Sequence, residues 1–114
     1  MIFDYNKLLE AAAGDEDLVR ELVGIFIDEC PELLARIEMA VRDNKPRLLH
    51  EAAHTLKGPL SSMGAYAALD QVVALETMGI NEDLHKADIA FKKLKDMINE
   101  LVNELNTHKG VLTE

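Results

Sequence analysis

From Leu84 to Leu105 the chain places Leu84, Ala87, Phe91, Leu94, Ile98, Leu101 and Leu105 alternately three and four residues apart over three heptads. At about 3.6 residues per turn, that spacing lines one side of an α-helix. A seam of this kind is what a helix uses to lie antiparallel to others in a bundle. No stretch of the chain alternates polar and apolar residues with period two, so no strand is expected. The last helix must therefore bury its seam against other helices.

The partners can be read from the remaining periodicity. Asp4 is placed to cap a short helix through Leu8 and Leu9, with Gly14 as its left-handed stop. Asp15 can cap a second helix whose apolar positions, Leu18, Leu22, Ile25, Phe26, Cys30, Leu33, Leu34, Ile37, Ala40 and Val41, recur at helical spacing. Pro31 removes one hydrogen bond inside it, and because the stripe keeps its phase a kink is expected rather than two helices. Asp43 and Asn44 mark a turn, with Asn44 as expected N-cap and Pro46 in the first turn of a third helix that ends near Gly64. A fourth helix from about residue 65 to 78 would pack Leu69, Val72 and Val73 and stop at Gly79. From Thr107 the seam is lost and the chain is expected to fray. The fold class is all-α: an antiparallel four-helix bundle with a short additional N-terminal helix, forming one domain over residues 1–114.

Bulk properties narrow the function. A chain of 114 residues has room for one core. With two Tyr, three Phe and no Trp, that core is aliphatic. The formal charge of −9 repels nucleic acid and anionic membrane surfaces. The lone Cys30 sits in an apolar helical pattern, which reads as a buried reduced thiol and suits the cytoplasm. There is no leader-like pattern at the start and no apolar run long enough to span a bilayer.

The third helix carries the chemistry. Leu49, Ala52, Ala53, Leu56, Leu60 and Met63 fall on one broad face at about 100° per residue, and His54 points away from them. Arg47, His50, Glu51, Lys57, Gly58 and Ser61 share its side. Two motifs overlap there. His50-Glu51-Ala52-Ala53-His54 fits H-E-x-x-H, whose two imidazoles could bind zinc with Glu51 as general base. The context opposes it: a catalytic zinc site needs a third ligand and a cleft for an extended substrate, and neither Glu76 nor His85 is singled out by spacing. The forward motif is His54, Lys57 and Gly58. Each could be an ordinary solvated residue alone, but a glycine inside a helix costs about 1 kcal/mol relative to alanine, which suggests that something approaches the backbone closely.

These residues resemble the signature of the histidine phosphotransfer (HPt) domains of two-component phosphorelays, H-x-x-K-G followed by a further Gly, here His54, Lys57, Gly58 and Gly64. The long proline-containing helix before the motif and the pair Leu75 and Glu76 after it extend the resemblance over essentially the whole chain. It implies that His54 accepts a phosphoryl group from an aspartyl phosphate on a receiver domain and passes it to another receiver. It implies receiver domains of response regulators or hybrid histidine kinases as partners, and a phosphoryl carrier rather than an independent enzyme. A neutral imidazole is a competent nucleophile near neutral pH, Lys57 can steady phosphoryl charge, and Gly58 leaves room for the partner.

Around this centre the readings stay open. Arg47 and His50 are either solvated side chains or a contact rim that adds positive charge. Ser61 either hydrogen-bonds phosphate or partner, or caps carbonyls freed by Pro59. His85 and His108 lie outside the constellation. Pro59 stands where the family usually has a small residue, and a bend or local unwinding between Leu56 and Leu60 is expected. No metal or cofactor is expected, and the chain is expected to act as a monomer. The rivals are a helical interaction module in which His54 is incidental, and a zinc hydrolase built on His50, Glu51 and His54.

Overall fold

Asp4 and Asp15 start the first two helices as their positions suggest. Asp4 Oδ1 accepts from the backbone N–H of Asn6 and Lys7, and Asp15 Oδ1 from those of Asp17 and Leu18, satisfying donors that the first turn leaves free. The computed structural model describes residues 2–113, with side chains through residue 107. It contains five helices and, among the described residues, no strand: α1 (Tyr5–Ala11), α2 (Glu16–Arg42), α3 (Pro46–Ser62), α4 (Tyr66–Ile80) and α5 (Ala87–Thr113). Each of α2 to α5 packs against two neighbours, α2 on α3, α3 on α4, α4 on α5 and α5 on α2, which closes a four-helix ring. The short α1 lies across α2 and α3. Two helices of 27 residues, each about 40 Å long, set the 45 × 21 × 21 Å shape.

The core is aliphatic. Ile37, Leu49, Leu56, Leu60, Leu75, Leu94, Ile98, Leu101 and Leu105 are fully buried, and they include the last four residues of the C-terminal seam. Cys30 is free and buried, its thiol pushed up to about 12 by desolvation and then by the Glu29 charge. A thiol so far from ionisation is a packing residue.

Several boundaries differ from the sequence reading. Asn44 is not the N-cap of α3. It adopts a left-handed backbone, φ 51°, and closes α2: Asn44 N–H donates to the Val41 carbonyl at 3.3 Å and Lys45 N–H to the Ala40 carbonyl at 2.8 Å, the paired bonds of a Schellman stop. Lys45, kept out of the helical region because a proline follows it, becomes the cap. At the end of α1, Ala13 (φ 53°) takes the first left-handed position ahead of Gly14 (φ 82°).

Gly79 is not a stop either. Helix α4 runs through it to Ile80 and turns at Glu82, φ 56°. A Cβ on Gly79 would lie 2.7 Å from the Pro46 carbonyl oxygen, 2.8 Å from His50 N and 3.1 Å from His50 Cα, so its missing side chain is where α3 and α4 cross. Ile25 and Val73, expected in the core, are 53% and 39% exposed. On α2 the first buried positions are Val19 and Val23, one residue on from the assigned Leu18 and Leu22, which are half-buried against the same core, and the assigned Phe26 is buried.

Proline is accommodated without a break. Both α2 and α3 are continuous α-helix through Pro31 and Pro59. The expected unwinding at Pro59 is absent because Leu56 and Leu60 on either side are fully buried and the helix ends three residues later, so few bonds depend on the lost donor. The side chains from His108 onward lie outside the described residues, while Thr107, from which fraying is expected, still donates its hydroxyl to the Asn103 carbonyl at 3.0 Å. The backbone of α5 continues helical to Thr113.

Candidate functional site

Helix α3 presents its two faces as the periodicity dictates. Leu49, Ala52, Ala53, Leu56, Leu60 and Met63 are all buried, and the His54 side chain on the opposite side is 68% exposed. The structure adds a residue from another helix. Glu76, buried to 7% on α4, reaches under this face, and its Oε2 lies 2.8 Å from His54 Nδ1 while its Oε1 accepts from Lys57 Nζ at 2.9 Å. The motif histidine and the motif lysine are thus joined by one carboxylate.

Burial pushes the Glu76 carboxyl up, but the hydrogen bonds from Lys57 and His54 and the charges behind them outweigh it, and the net shift is below the usual glutamate range. The carboxylate is therefore ionised at neutral pH and accepts only. It follows that His54 Nδ1 carries the proton and donates to it. The neutral ring then holds its lone pair on Nε2, the nitrogen turned away from Glu76.

A group whose folded-state pKa is depressed contributes stability that is complete above its ordinary titration range and is lost as pH falls through the depressed value. The Glu76 contribution should therefore be present at pH 6 to 8 and disappear in acid. Urea denaturation of wild type and Glu76→Gln at pH 7 and pH 3 checks this: the gap between the two proteins should shrink at pH 3, and a constant gap would contradict the assignment.

The other sequence candidates divide. His50 lies close by, its Nε2 3.7 Å from Glu76 Oε2. Arg47 is drawn away into an exposed ion pair with Glu51 at 3.2 Å, a contact of small energetic weight, and so does not join Glu76. Ser61 is exposed beyond Gly58 on the same side. Gly58 is exposed and a Cβ there would meet nothing within 4 Å, so no contact within the chain demands a glycine. The H-E-x-x-H arrangement does not assemble: Glu51 faces Arg47, the two imidazoles stand edge to face with centroids 6.3 Å apart, and among the described residues no three potential ligands gather in metal-binding geometry. Sequence reasoning underused Glu76. Its signal was a carboxylate on the buried side of α4, in register with Val72, Leu75 and Gly79, where an unpaired charge would be costly.

The site is thus an exposed imidazole held over a lysine-bound carboxylate on one face of a four-helix bundle. The Hpt domain family model matches residues 21–104, and the chain belongs to that family. It is 29% identical over 111 residues to the phosphorelay intermediate protein rdeA of Dictyostelium discoideum, covering 94% of this chain and 42% of the relative. It is 27% identical over 100 residues to histidine-containing phosphotransfer protein 5 of Arabidopsis thaliana, covering 79% and 64%. The chain thus spans less than two thirds of the length of these relatives. Among solved structures, histidine-containing phosphotransfer protein B from Pseudomonas aeruginosa superposes with TM-score 0.88 at 20% identity, over 95% of this chain and 94% of that one. The HPT domain of a sensor hybrid histidine kinase from Shewanella gives 0.85 at 16%, over 99% and 97%. At these identities the superpositions establish the fold, an HPt-type four-helix bundle with a short N-terminal helix.

Proposed function

We propose that this chain is a phosphotransfer module in which His54 Nε2 accepts a phosphoryl group from an aspartyl phosphate on a receiver domain and hands it to an aspartate on another. The observation that carries this reading is the Glu76 carboxylate, which holds the proton on His54 Nδ1 and leaves Nε2 free on an exposed face. The Nε2 lone pair attacks phosphorus, the N–P bond forms, and the P–O bond to the aspartyl carboxylate breaks, with that oxygen keeping the electron pair. The ring gains positive charge as the bond forms, and the anion 2.8 Å from Nδ1 offsets it. Lys57, 35% exposed beside the same face, is placed to meet the phosphoryl oxygens. The remaining positioning that phosphoryl transfer requires falls to the receiver. Reversing the same steps discharges the group.

The partners are accordingly receiver domains, and the chain works as a monomeric carrier in the cytoplasm. None of the described helices is long and apolar enough to cross a membrane. The direct test is to incubate the chain with a receiver carrying labelled aspartyl phosphate. Label should move to the chain as acid-labile phosphate, and failure of uptake from a panel of receivers would overturn the reading.

Gly58 separates fold from function. With open space at its Cβ position and a helical backbone, Gly58→Ala should stabilise the protein by about 0.5–1 kcal/mol. The added methyl stands on the docking face one turn from His54, so transfer from a receiver should slow by roughly tenfold or more. Urea denaturation and rapid-quench transfer kinetics check the two halves. Unchanged transfer would remove Gly58 from the docking surface.

A further inference from the structure

His50 stands one turn before His54, and the structure does not leave it as an ordinary solvated side chain. Its Nε2 is 3.7 Å from Glu76 Oε2, the same oxygen that accepts from His54 Nδ1. The ring is only 43% exposed. Its backbone is also locked, because the last turn of α4 crosses α3 at this residue with Gly79 against His50 N and Cα. At 3.7 Å a neutral imidazole is outside hydrogen-bond range. A protonated one is attracted to the carboxylate as an ion pair and has a donor on each nitrogen.

The charges around it are few. From α4 the group facing His50 is Glu76; on α3 itself Arg47, Glu51, His54 and Lys57 share its side, with Arg47 and Glu51 paired to each other. Helix α2 meets the other flank of α3, where Arg36 lines a groove with Leu48, Glu51 and Thr55. Helix α1 meets the far end of α3, where the residue before it donates Asp4 N–H to the Met63 carbonyl. With His50 neutral, Glu76 and Lys57 cancel. With His50 protonated the cluster gains a positive charge, and Oε2 has lone-pair room for a second donor beside His54.

We infer that His50 is a proton-dependent positioning residue for His54: once protonated it closes on Glu76 Oε2 and sets a positive charge beside the phosphoryl group on His54. This rests on the assignment of His54 as phosphoacceptor. A phosphoryl group carries between one and two negative charges near neutral pH. Across the 6.3 Å between the ring centroids, in water at physiological salt, a protonated His50 favours the phosphorylated form by about threefold. The bias is present when His50 is protonated and absent when it is neutral.

Two measurements test this. In long-range proton–nitrogen spectra of the unphosphorylated chain, replacing His50 by Gln should move the His54 ring-nitrogen signals more at pH 6 than at pH 8. His54 signals that His50→Gln leaves unmoved at both pH values would overturn the inference. The second is the equilibrium partition of phosphoryl label between the chain and one receiver. Relative to His50→Gln, wild type should hold about threefold more label at pH 6 than at pH 8, and His50→Arg should keep the acid-end partition at both. Label on both proteins with a pH-independent ratio defeats the role of His50 alone. Absence of label from both defeats the phosphoacceptor reading and this inference with it.

Discussion

His54→Gln should take up no acid-labile phosphate from any receiver that labels wild type, while unfolding at nearly the same urea concentration. The amide cannot act as a nucleophile at phosphorus, so the loss is complete rather than partial. The fold should survive, because the side chain is 68% exposed and surface substitutions usually change stability by less than about 0.5 kcal/mol. A glutamine amide can also donate to Glu76 Oε2 in place of Nδ1–H, which keeps the buried carboxylate paired. His50 should not substitute for the missing nucleophile: its Nε2 faces Glu76 at 3.7 Å and its backbone is pinned where α4 crosses. Residual label on His50 in this variant would show that the face tolerates two acceptors and would weaken the claim that Glu76 selects one nitrogen.

Gly79→Val should cost about 3 kcal/mol or more of stability, a large share of the 5–15 kcal/mol typical of a domain. The atoms a side chain would meet are backbone, the Pro46 carbonyl oxygen at 2.7 Å and His50 N at 2.8 Å, so no rotamer change can relieve the overlap. Helices α3 and α4 must separate, which leaves their buried leucines underpacked. Valine is a slightly better helix former than glycine, a gain too small to offset the overlap. The same movement carries Glu76 away from His54 and Lys57, so phosphoryl uptake should fall along with stability. Thermal unfolding with a parallel transfer assay measures both. A near-neutral change in stability would mean that the two helices are not in contact at this point.

Most of the fold was legible because its signals are local. The C-terminal seam, the two faces of α3 and the aspartate caps each depend on residues within a few turns, and each appears where its spacing puts it, except that Leu84 precedes α5, which begins at Ala87. The misses share one cause. Asn44 was read as a cap and Gly79 as a stop because both residues favour left-handed or terminal positions, yet which position each occupies depends on its neighbours: the proline after Lys45 in one case, and α3 passing overhead in the other. Ile25 and Val73 were assigned to the core from hydrophobicity alone, while the packing of α2 and α4 turns them outward.

The site divides the same way. His54, Lys57 and Gly58 lie within two turns of one helix, so their common face follows from 100° steps along the chain and from nothing else. The orientation of the imidazole does not. Glu76 comes from another helix, 22 residues away from His54, and it reaches the ring only because a glycine lets α4 close on α3. Helical periodicity determines which side chains leave a helix together, whereas the depth and register of a helix crossing depend on backbone contact between two elements. The sequence by itself thus determined that an exposed histidine would be offered on a bundle face. Only the tertiary structure decided which of its nitrogens carries the lone pair, and that a second histidine stands within reach of the same carboxylate.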